Sequence, residues 1–434
     1  MLLSSSSRRS GAKKRLHPSL VAAFRPAAVL CSMLVPLALA FSPPVSADQA
    51  PKAVAASKTL LAAKEVDSAP ASFIQVDNVE KYSELDDSFH KMPEWNGADS
   101  ASSIALNAER SVWFFGDTMI NPAAESDSTK ETKPVMINSS ASWLDNYGAA
   151  LDMKFFWRTA DKVPQPIFTP PAADEWYWPG TGIVHDGDLF LFTKRVKRAG
   201  NPKDGEWDFD WYAGDMLRLS PGEAEPNTWK QTAKSLPESG GKILFGTACV
   251  DDDRYCYVYC SSKKDAGLMS PHPAIVARIA KDKLADCAES DWGFWADEPK
   301  MFVPASDRAT VLIPDASPEM SVTYIPTYHC YVAVYIPPLS DTILLRTAPQ
   351  PWGPFSSAVS VYKCPEAAET ADGKNVLVYS AKEHPELRRS PNELVISYCS
   401  NPGALRAHSA RPDLYFPRAV RVKLKTLIQA EQAK

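Results

Sequence analysis

The chain has 434 residues, of which 45% are hydrophobic and 23% charged, and its formal net charge is −5 at pH 7. This length is sufficient for a large core, and the acidic balance argues against nucleic acid or an anionic lipid surface as a partner. The 37 prolines favour short strands and loops over long helices.

The first 47 residues have the features of an export signal. Six basic residues precede an apolar stretch from Ala27 to Phe41, and Val45-Ser46-Ala47 supplies the small residues needed for cleavage. The apolar stretch is short for a spanning helix, so an uncleaved anchor is the less favoured alternative. Cleavage would leave 41 of the 47 basic residues against 52 acidic ones. We therefore predict a signal peptide over 1–47, and a secreted or periplasmic protein without stable membrane insertion.

Beyond the signal, residues 48–72 are rich in Ala, Lys, Ser and Pro and are predicted to form a flexible linker. Five short runs of β-branched and aromatic residues then recur along 73–434, each after a tight polar turn. Recurrence of this kind is typical of one antiparallel sheet repeated around an axis. The sequence therefore predicts an all-β fold, a five-bladed β-propeller of four-stranded antiparallel blades. The runs are centred on Phe114, Phe190, Tyr257, Val332 and Ile396.

The two ends of the predicted propeller should meet in one sheet. A strand near Phe73 to Glu80 is expected to pair with the terminal LYFPRAVRVKL run. Such pairing removes the exposed edges that an open sheet would leave.

The first predicted hairpin brings two carboxylates together. If the turn is Asn107–Arg110, the constant register of an antiparallel pair places Asp99 opposite Thr118 and one step from Asp117. Two acids this close do not ionise independently, and one pKa should rise. The alternative is that each Asp only forms a turn or caps a strand.

The same register argument places further side chains at that end of the other blades. Trp178, Glu319 and Lys382 occupy the equivalent positions in the second, fourth and fifth blades, whereas the third offers only Phe245 and Gly246. Substrate contacts are therefore expected from an aromatic cluster and three basic side chains, with core packing and rim positions as the alternatives. These candidates are Trp176, Tyr177, Trp178, Lys382, His384 and Arg195.

The seven cysteines beyond the signal show no zinc-ligand spacing. Cys249 and Cys256 would face each other across a turn at Asp251–Arg254, so a disulfide is geometrically possible there, with buried free thiols as the alternative. The chain has no GxSxG, HExxH, P-loop or dinucleotide motif. Neither a cofactor nor a metal ion is predicted.

Several motifs together resemble a known family. The motifs are GAD at 97–99, FFGDT at 114–118, WPG at 178–180 followed by DGDLFLF, PEMSV from Pro318, APQPWGPF from Ala348 and YSAKEHPEL from Tyr379. In this order they resemble a family of exported five-bladed propellers, catalogued as a domain of unknown function and associated in part with endo-acting D-arabinanases. The resemblance covers about residues 90 to 424, but 119–145 and 197–211 match none of its motifs.

The resemblance implies that Asp99 and Asp117 are the two aspartates of the family, and that Glu319 matches an acidic position of its fourth blade. Glycoside hydrolysis needs one protonated and one ionised carboxyl group, which Asp99 and Asp117 can supply, with Glu319 as an alternative acid. We expect an exported, endo-arabinanase-like glycoside hydrolase that acts on an arabinan-like or other furanoside polysaccharide or oligosaccharide. The alternative is a carbohydrate-binding propeller without catalysis.

Overall fold

The fold is known from a computed structural model that describes residues 72, 74–121, 134–145, 151–200, 208–222, 224–237, 243–262, 270–371, 373–402, 408 and 411–426. The predicted signal peptide and all of the predicted linker but its last residue lie outside this part of the chain. The described residues belong to one compact unit, 63–434.

Helix is scarce in the described residues. The α-helix α1 spans Ser83–Ser88. Short 3-10 turns account for the rest, and most begin with proline, whose fixed φ and missing N–H suit the first position of a helical turn. They are Pro226–Thr228, Lys281–Lys283, Glu289–Asp291, Ser306–Arg308, Pro326–Tyr328, Pro365–Ala368, Pro385–Leu387 and Pro412–Tyr415. Among the residues described, no helix has the length and apolar content needed to cross a membrane.

The remaining structure is antiparallel β, and five sheets of four or five strands dominate it. Sheet 1 contains, in spatial order, β3 (Ser102–Ala105), β4 (Arg110–Phe115), β7 (Ser140–Asp145) and β8 (Asp152–Phe156). Sheet 2 contains β11 (Glu175–His185), β12 (Asp188–Lys197), β13 (Asp210–Leu219) and β14 (Gln231–Ser235). Sheet 3 contains β15 (Ile243–Asp251), β16 (Tyr255–Ser262), β17 (Ala274–Ala280), β18 (Gly293–Ala296) and β19 (Met301–Val303).

Sheet 4 contains β20 (Met320–Ile325), β21 (Cys330–Tyr335), β22 (Thr342–Ala348) and β23 (Val359–Lys363). Sheet 5 contains β26 (Leu377–Glu383), β27 (Glu393–Asn401), β28 (Arg418–Thr426) and β1 (Ile74–Lys81). Three smaller sheets complete the described strands: β2 (Trp95–Ala98), β5 (Thr118–Ile120) and β6 (Val135–Ile137); β9 (Arg158–Ala160) with β10 (Val163–Gln165); and β24 (Thr370–Ala371) with β25 (Lys374–Asn375).

The second strand of every large sheet is covered on both faces, and each of the five predicted runs is such a strand. In β4, Phe114 packs in a cluster shared with sheet 2, whereas its neighbour Trp113 packs in a cluster shared with sheet 5. In β27, Val395 packs towards sheet 1 and Ile396 towards sheet 4. Because neighbouring residues of a strand point to opposite faces, a strand covered on both sides has no polar face.

The hydrophobic clusters connect the sheets in a fixed order. One cluster joins sheets 1 and 2, the next sheets 2 and 3, the next sheets 3 and 4, the next sheets 4 and 5, and the last sheets 5 and 1. Each fully buried aliphatic or aromatic side chain contributes about 1.5–3 kcal/mol. The sheet-to-sheet contacts are therefore the main source of stability.

The first and last strands of the described chain lie in the same sheet. β1 pairs with β28 from Ile74 opposite Thr426 to Lys81 opposite Val420, with one irregularity between Val76 and Asn78. The predicted pairing of the two chain ends is confirmed. It gives the edge of β28 a partner.

The first hairpin differs from its predicted register by one residue. Ala98 lies opposite Thr118, so Asp99 stands opposite Asp117 and not opposite Thr118 as predicted. The Asp99 N–H donates to the Asp117 carbonyl oxygen at 3.3 Å. The cause is the turn, where Asn107 Oδ1 accepts two backbone N–H groups and closes a three-residue loop.

The predicted disulfide between Cys249 and Cys256 is wrong. Both are free thiols, and Cys249 lies opposite Val258 while Cys256 lies opposite Asp251. The Asp252 carboxylate accepts two backbone N–H groups of the turn. This moves the turn one residue towards the C-terminus, so the two cysteines are not a directly opposed pair.

Removing β1 should destabilise sheet 5. We expect a chain that starts at Tyr82 to melt about 5 °C or more below the full chain, because β28 loses one of its two partners and the buried Ile74 is lost from its cluster. A chain that starts at residue 73 keeps β1 and serves as the control. Thermal unfolding followed by circular dichroism tests this, and identical melting of the two truncated chains would contradict it.

Candidate active site

One pocket of about 180 Å³ is lined by strands and loops of sheets 1, 2, 4 and 5. Its charged or acidic lining consists of Asp99, Asp117, Glu319 and Lys194, joined by the hydroxyl of Tyr379. The rest of its lining combines small polar groups with aromatic and aliphatic side chains.

Asp99 is positioned by a tight segment between β2 and β3. Gly97 has φ +101°, and a Cβ atom there would lie 2.7 Å from the Tyr415 carbonyl oxygen. Only glycine satisfies both conditions. At Gly116, a Cβ atom would lie 2.4 Å from Asp99 Oδ1. The glycines of the GAD and FFGDT motifs therefore make room for the Asp99 carboxyl group and its backbone.

The Asp99 carboxyl group is half-buried and lines the pocket. Its Oδ2 accepts hydrogen bonds from the hydroxyls of Tyr379 at 2.8 Å and Tyr415 at 3.2 Å. Burial, followed by the negative charges of Asp117 and Glu319, raises its pKa to about 8 against the weaker effect of the two tyrosines. Asp99 is therefore protonated at neutral pH.

Asp117 connects sheets 1 and 2. Its Oδ1 accepts hydrogen bonds at 2.9 Å from Asn138 Nδ2 and at 2.9 Å from Trp178 Nε1. Burial raises the pKa of Asp117, and these two hydrogen bonds oppose the change. The Tyr415 hydroxyl bridges the two acids, because its oxygen lies 3.0 Å from the Asp117 carbonyl oxygen and 3.2 Å from Asp99 Oδ2, and its single hydrogen is shared between these two acceptors.

Glu319 has the opposite electrostatic environment. Burial alone would raise its pKa, but the positive charges of Lys382 and Lys194 lower it, with help from nearby serine hydroxyls. Lys382 Nζ lies 3.9 Å from Glu319 Oε1. Glu319 is therefore ionised at neutral pH, while Asp99 is not.

The two lysines are held by backbone and hydroxyl oxygens. Lys382 Nζ donates to the Ser100 carbonyl oxygen and, at 2.6 Å, to Ser380 Oγ. Lys194 Nζ donates to the Pro318 carbonyl oxygen at 3.1 Å and lies 5.2 Å from the centre of the Trp211 ring. Burial lowers the pKa of Lys194.

Four of the residues predicted from sequence line the pocket: Asp99, Asp117, Glu319 and Trp178. Lys382 contacts Glu319 from just beneath the lining. Trp176 packs against Trp178 with ring centres 6.3 Å apart, but it is not part of the lining.

Three predicted substrate contacts lie elsewhere. Tyr177 is buried and donates to Asp215, and Arg195 forms an ion pair with Glu175 at 2.6 Å. They lie on the face of sheet 2 opposite to Trp178, because neighbouring residues of a strand alternate. His384 is fully buried between Ser103 and Ser397, deeper along sheet 5 than Lys382, and burial lowers its pKa to about 3.

Comparison with known proteins gives the family. Residues 82–424 match a family model described as "Domain of unknown function (DUF5005)". The chain belongs to this family. Its membership agrees with the resemblance seen in the motifs, whereas the association with arabinanases stays a prediction. Among curated proteins, no match was found.

Several solved structures resemble this DUF5005 chain. A protein from Bacteroides ovatus ATCC 8483, provisionally described as a hydrolase, has a TM-score of 0.61 at 17% identity over 79% of this chain and 90% of its own. A GH43_1 enzyme from Xanthomonas citri in complex with xylose has a TM-score of 0.42 at 14% identity, over 78% and 89% of the two chains. The first similarity shows a shared fold, and the second is too distant to support an argument.

Four residues of the site were not predicted from the sequence of the DUF5005 chain: Lys194, Tyr379, Tyr415 and Asn138. Lys194 stands directly opposite Trp178 in the β11–β12 pair, so the register argument applied to the second strand would have found it. Tyr379 opens the YSAKEHPEL motif. Tyr415 ends the 3-10 turn Pro412–Tyr415 and Asn138 lies between β6 and β7, so no strand register gives their positions.

The raised pKa of Asp99 predicts a pH-dependent effect on stability. The folded protein keeps this proton up to a pH of about 8, whereas an unfolded Asp loses it near a pH of about 4. The protonated carboxyl group therefore stabilises the fold at low pH, and this contribution is lost as the pH rises through about 8. Asp99→Asn should exceed the wild type in unfolding free energy by a few kcal/mol at high pH, on the order expected for a shift this large.

Urea unfolding at pH 4.5 and pH 8.5 measures the difference between Asp99→Asn and the wild type. The difference in unfolding free energy, Asp99→Asn minus wild type, should be larger at pH 8.5 than at pH 4.5. Asp161→Asn, an exchange at an exposed turn residue, is the control and should show no such increase. A difference that is equal at both pH values would refute the assignment of the raised pKa to Asp99.

Lys194→Met should raise the pKa of Glu319, because it removes one of the two positive charges that lower this pKa. The carbon-13 signal of labelled glutamate carboxyl groups reports the titration, and Glu319→Gln identifies the signal. Lys281→Met removes a lysine that pairs with Asp251 instead, and is the matched control. An unchanged Glu319 titration in Lys194→Met would count against this electrostatic role.

Proposed function

We propose that the chain is a five-bladed β-propeller in which each large sheet is one blade. Three observations support this: the five sheets of four or five antiparallel strands, the order of clusters that returns from sheet 5 to sheet 1, and the shared sheet of β1 and β28. In this architecture the pocket lies at the mouth of the central axis, where the inner strands of different blades meet.

We propose that this pocket hydrolyses glycosidic bonds. The observation that carries the proposal is the juxtaposition of protonated Asp99 and ionised Glu319 in one pocket. A glycosidase needs one carboxyl group in each state. The two states arise from different surroundings: burial and a second acid beside Asp99, and two lysines beside Glu319.

Each carboxyl group then has a defined role. Asp99 gives its proton to the departing glycosidic oxygen, and the charge of Asp117 keeps that proton on Asp99 at neutral pH. Glu319 either attacks the anomeric carbon or activates the water that does so. The sequence analysis considered Glu319 as an alternative acid, but its paired lysines favour the ionised role.

The proposed substrate is an arabinan-like or other furanoside polysaccharide or oligosaccharide, and the proposed location is outside the cytoplasm. The motif resemblance supports the first, and the basic and apolar segments of residues 1–47 support the second. Trp178 offers an indole ring beside Asp117 for contact with a sugar face. The description of the Bacteroides ovatus protein as a hydrolase agrees with this class of reaction.

Substitution of the acids should abolish turnover while the fold survives. Asp99→Asn, Asp117→Asn and Glu319→Gln should each reduce kcat by about 100-fold or more, the contribution of general acid or base catalysis. The wild-type rate should fall as pH rises through about 8, because Asp99 then loses its proton. Release of reducing sugar from arabinans and other furanoside polymers measures the rate, and the exposed-turn variant Asp161→Asn is the control.

Wild-type rates in both aspartate variants would show that the site is assigned wrongly. If the wild type cleaves no glycan but binds oligosaccharides, and Trp178→Ala weakens that binding, the protein is the carbohydrate-binding propeller named as the alternative.

A further inference from the structure

The pocket has two chemically different parts. The carboxyl groups and Lys194 form one part, and aliphatic side chains of sheets 4 and 5, here called the aliphatic rim, form another, in which Ile336 and Val378 are buried and Leu339 is exposed. This aliphatic rim consists of Ile336, Pro337, Pro338 and Leu339, which follow β21, and of Leu377 and Val378, which begin β26. A rim made of such side chains has no side-chain group with which to bind the hydroxyls of a sugar.

Leu339 is the most unusual residue of the rim. Its exposed fraction is 69%, the highest among the exposed large hydrophobic residues of the described chain. Its φ is +63°, in the left-handed region that normally selects glycine or asparagine. The Ser340 N–H donates to the Pro337 carbonyl oxygen at 2.9 Å, so a closed turn holds Leu339 in this conformation.

Both features of Leu339 are unfavourable for the isolated fold. A glycine would relieve the backbone strain, and a polar residue would avoid the exposed apolar surface. Strain and exposure of this kind are found where a residue contacts a ligand. Because Leu339 lines the same pocket as the carboxyl groups, the ligand that covers it also reaches them.

We propose that the site takes glycosides whose departing group is apolar. The sugar lies over the carboxyl groups, and an alkyl or aryl group attached through the glycosidic oxygen lies against the aliphatic rim. It rests on the proposed function for hydrolysis and for the position of the sugar, and it adds glycosides with an apolar departing group to the polymers proposed above. In the reaction the bond between the anomeric carbon and the glycosidic oxygen breaks, water supplies the new hydroxyl group of the sugar, and the departing oxygen receives a proton and leaves as an alcohol or phenol.

Binding without turnover tests the proposal. The full chain carrying Asp99→Asn is titrated with methyl, octyl and phenyl α-D-arabinofuranosides, and with methyl and octyl β-D-glucopyranosides below their micellar concentrations. Calorimetry gives the affinities. Octyl glycosides should bind about 10-fold or more tightly than methyl glycosides, because several CH₂ groups leave water. The octyl and phenyl arms distinguish a lipid-like chain from an aromatic substituent.

Leu339→Gly relaxes the turn and so keeps the fold. It should lower octyl affinity by about 10-fold and leave methyl affinity unchanged. Val311→Ser, at another exposed apolar residue, is the matched control. The proposal is wrong if methyl and octyl glycosides bind with equal affinity, or if neither series binds. It is also wrong if the protein forms a dimer that Leu339→Gly abolishes.

The experiment separates this inference from the proposed function. If affinity depends on the length of the alkyl chain but the wild type hydrolyses no glycoside, the role of the aliphatic rim in binding is supported and the proposed hydrolysis is contradicted. Hydrolysis by the wild type whose kcat/KM is the same for methyl, octyl and phenyl glycosides would support the hydrolase and contradict the rim.

Discussion

The packing of each large sheet between two others is the constraint on which the rest of this structure depends. It requires a second strand that is apolar on both faces, and the five clusters obtain their members from alternate residues of these strands. Because both faces of these strands are used for packing, the carboxyl groups of the pocket come from strand ends and loops, whereas Lys194 stands within β12. The pocket follows from this constraint, because all its carboxyl groups lie just before or after a strand.

The pocket then concentrates charge where solvent is scarce. Three carboxyl groups and two lysines lie within one small volume, and an unpaired charge there would be costly. A proton on Asp99 leaves Asp117 and Glu319 to balance Lys194 and Lys382. The three carboxyl groups and two lysines are then close to neutral in total charge. This balance leaves one carboxyl group protonated and another ionised, as acid catalysis requires. The division depends on the arrangement of the charges and not on any one residue.

Much of the fold and of the candidate site could be predicted from the sequence, and the rest could not, for physical reasons. The five runs could be predicted because strands that are covered on both faces are continuously apolar. The pocket positions of four residues could be predicted because strand register fixes which residues lie opposite each other across a hairpin. These residues are Asp99, Asp117, Glu319 and Trp178. Register failed at turns: a side chain of Asn107 or Asp252 that accepts backbone N–H groups shifts the pairing by one residue. Tyr177 and Arg195 were predicted to contact substrate without regard to the alternation of side chains along a strand. This alternation places both residues on the face of sheet 2 opposite to Trp178.

Part of the backbone strain and buried charge of the described chain lies at the pocket, although six of the ten non-glycine residues with positive φ lie elsewhere. Ser100 and Ala101 have positive φ beside Asp99, Leu339 has positive φ at the rim, and Lys194 is a buried cation. All four lie in or beside the same pocket, at the ends of sheets whose interiors are well packed. Strain persists only where the surrounding structure fixes it. The five hydrophobic clusters make the surrounding sheets rigid, and these rigid sheets hold the strained residues in place around the pocket.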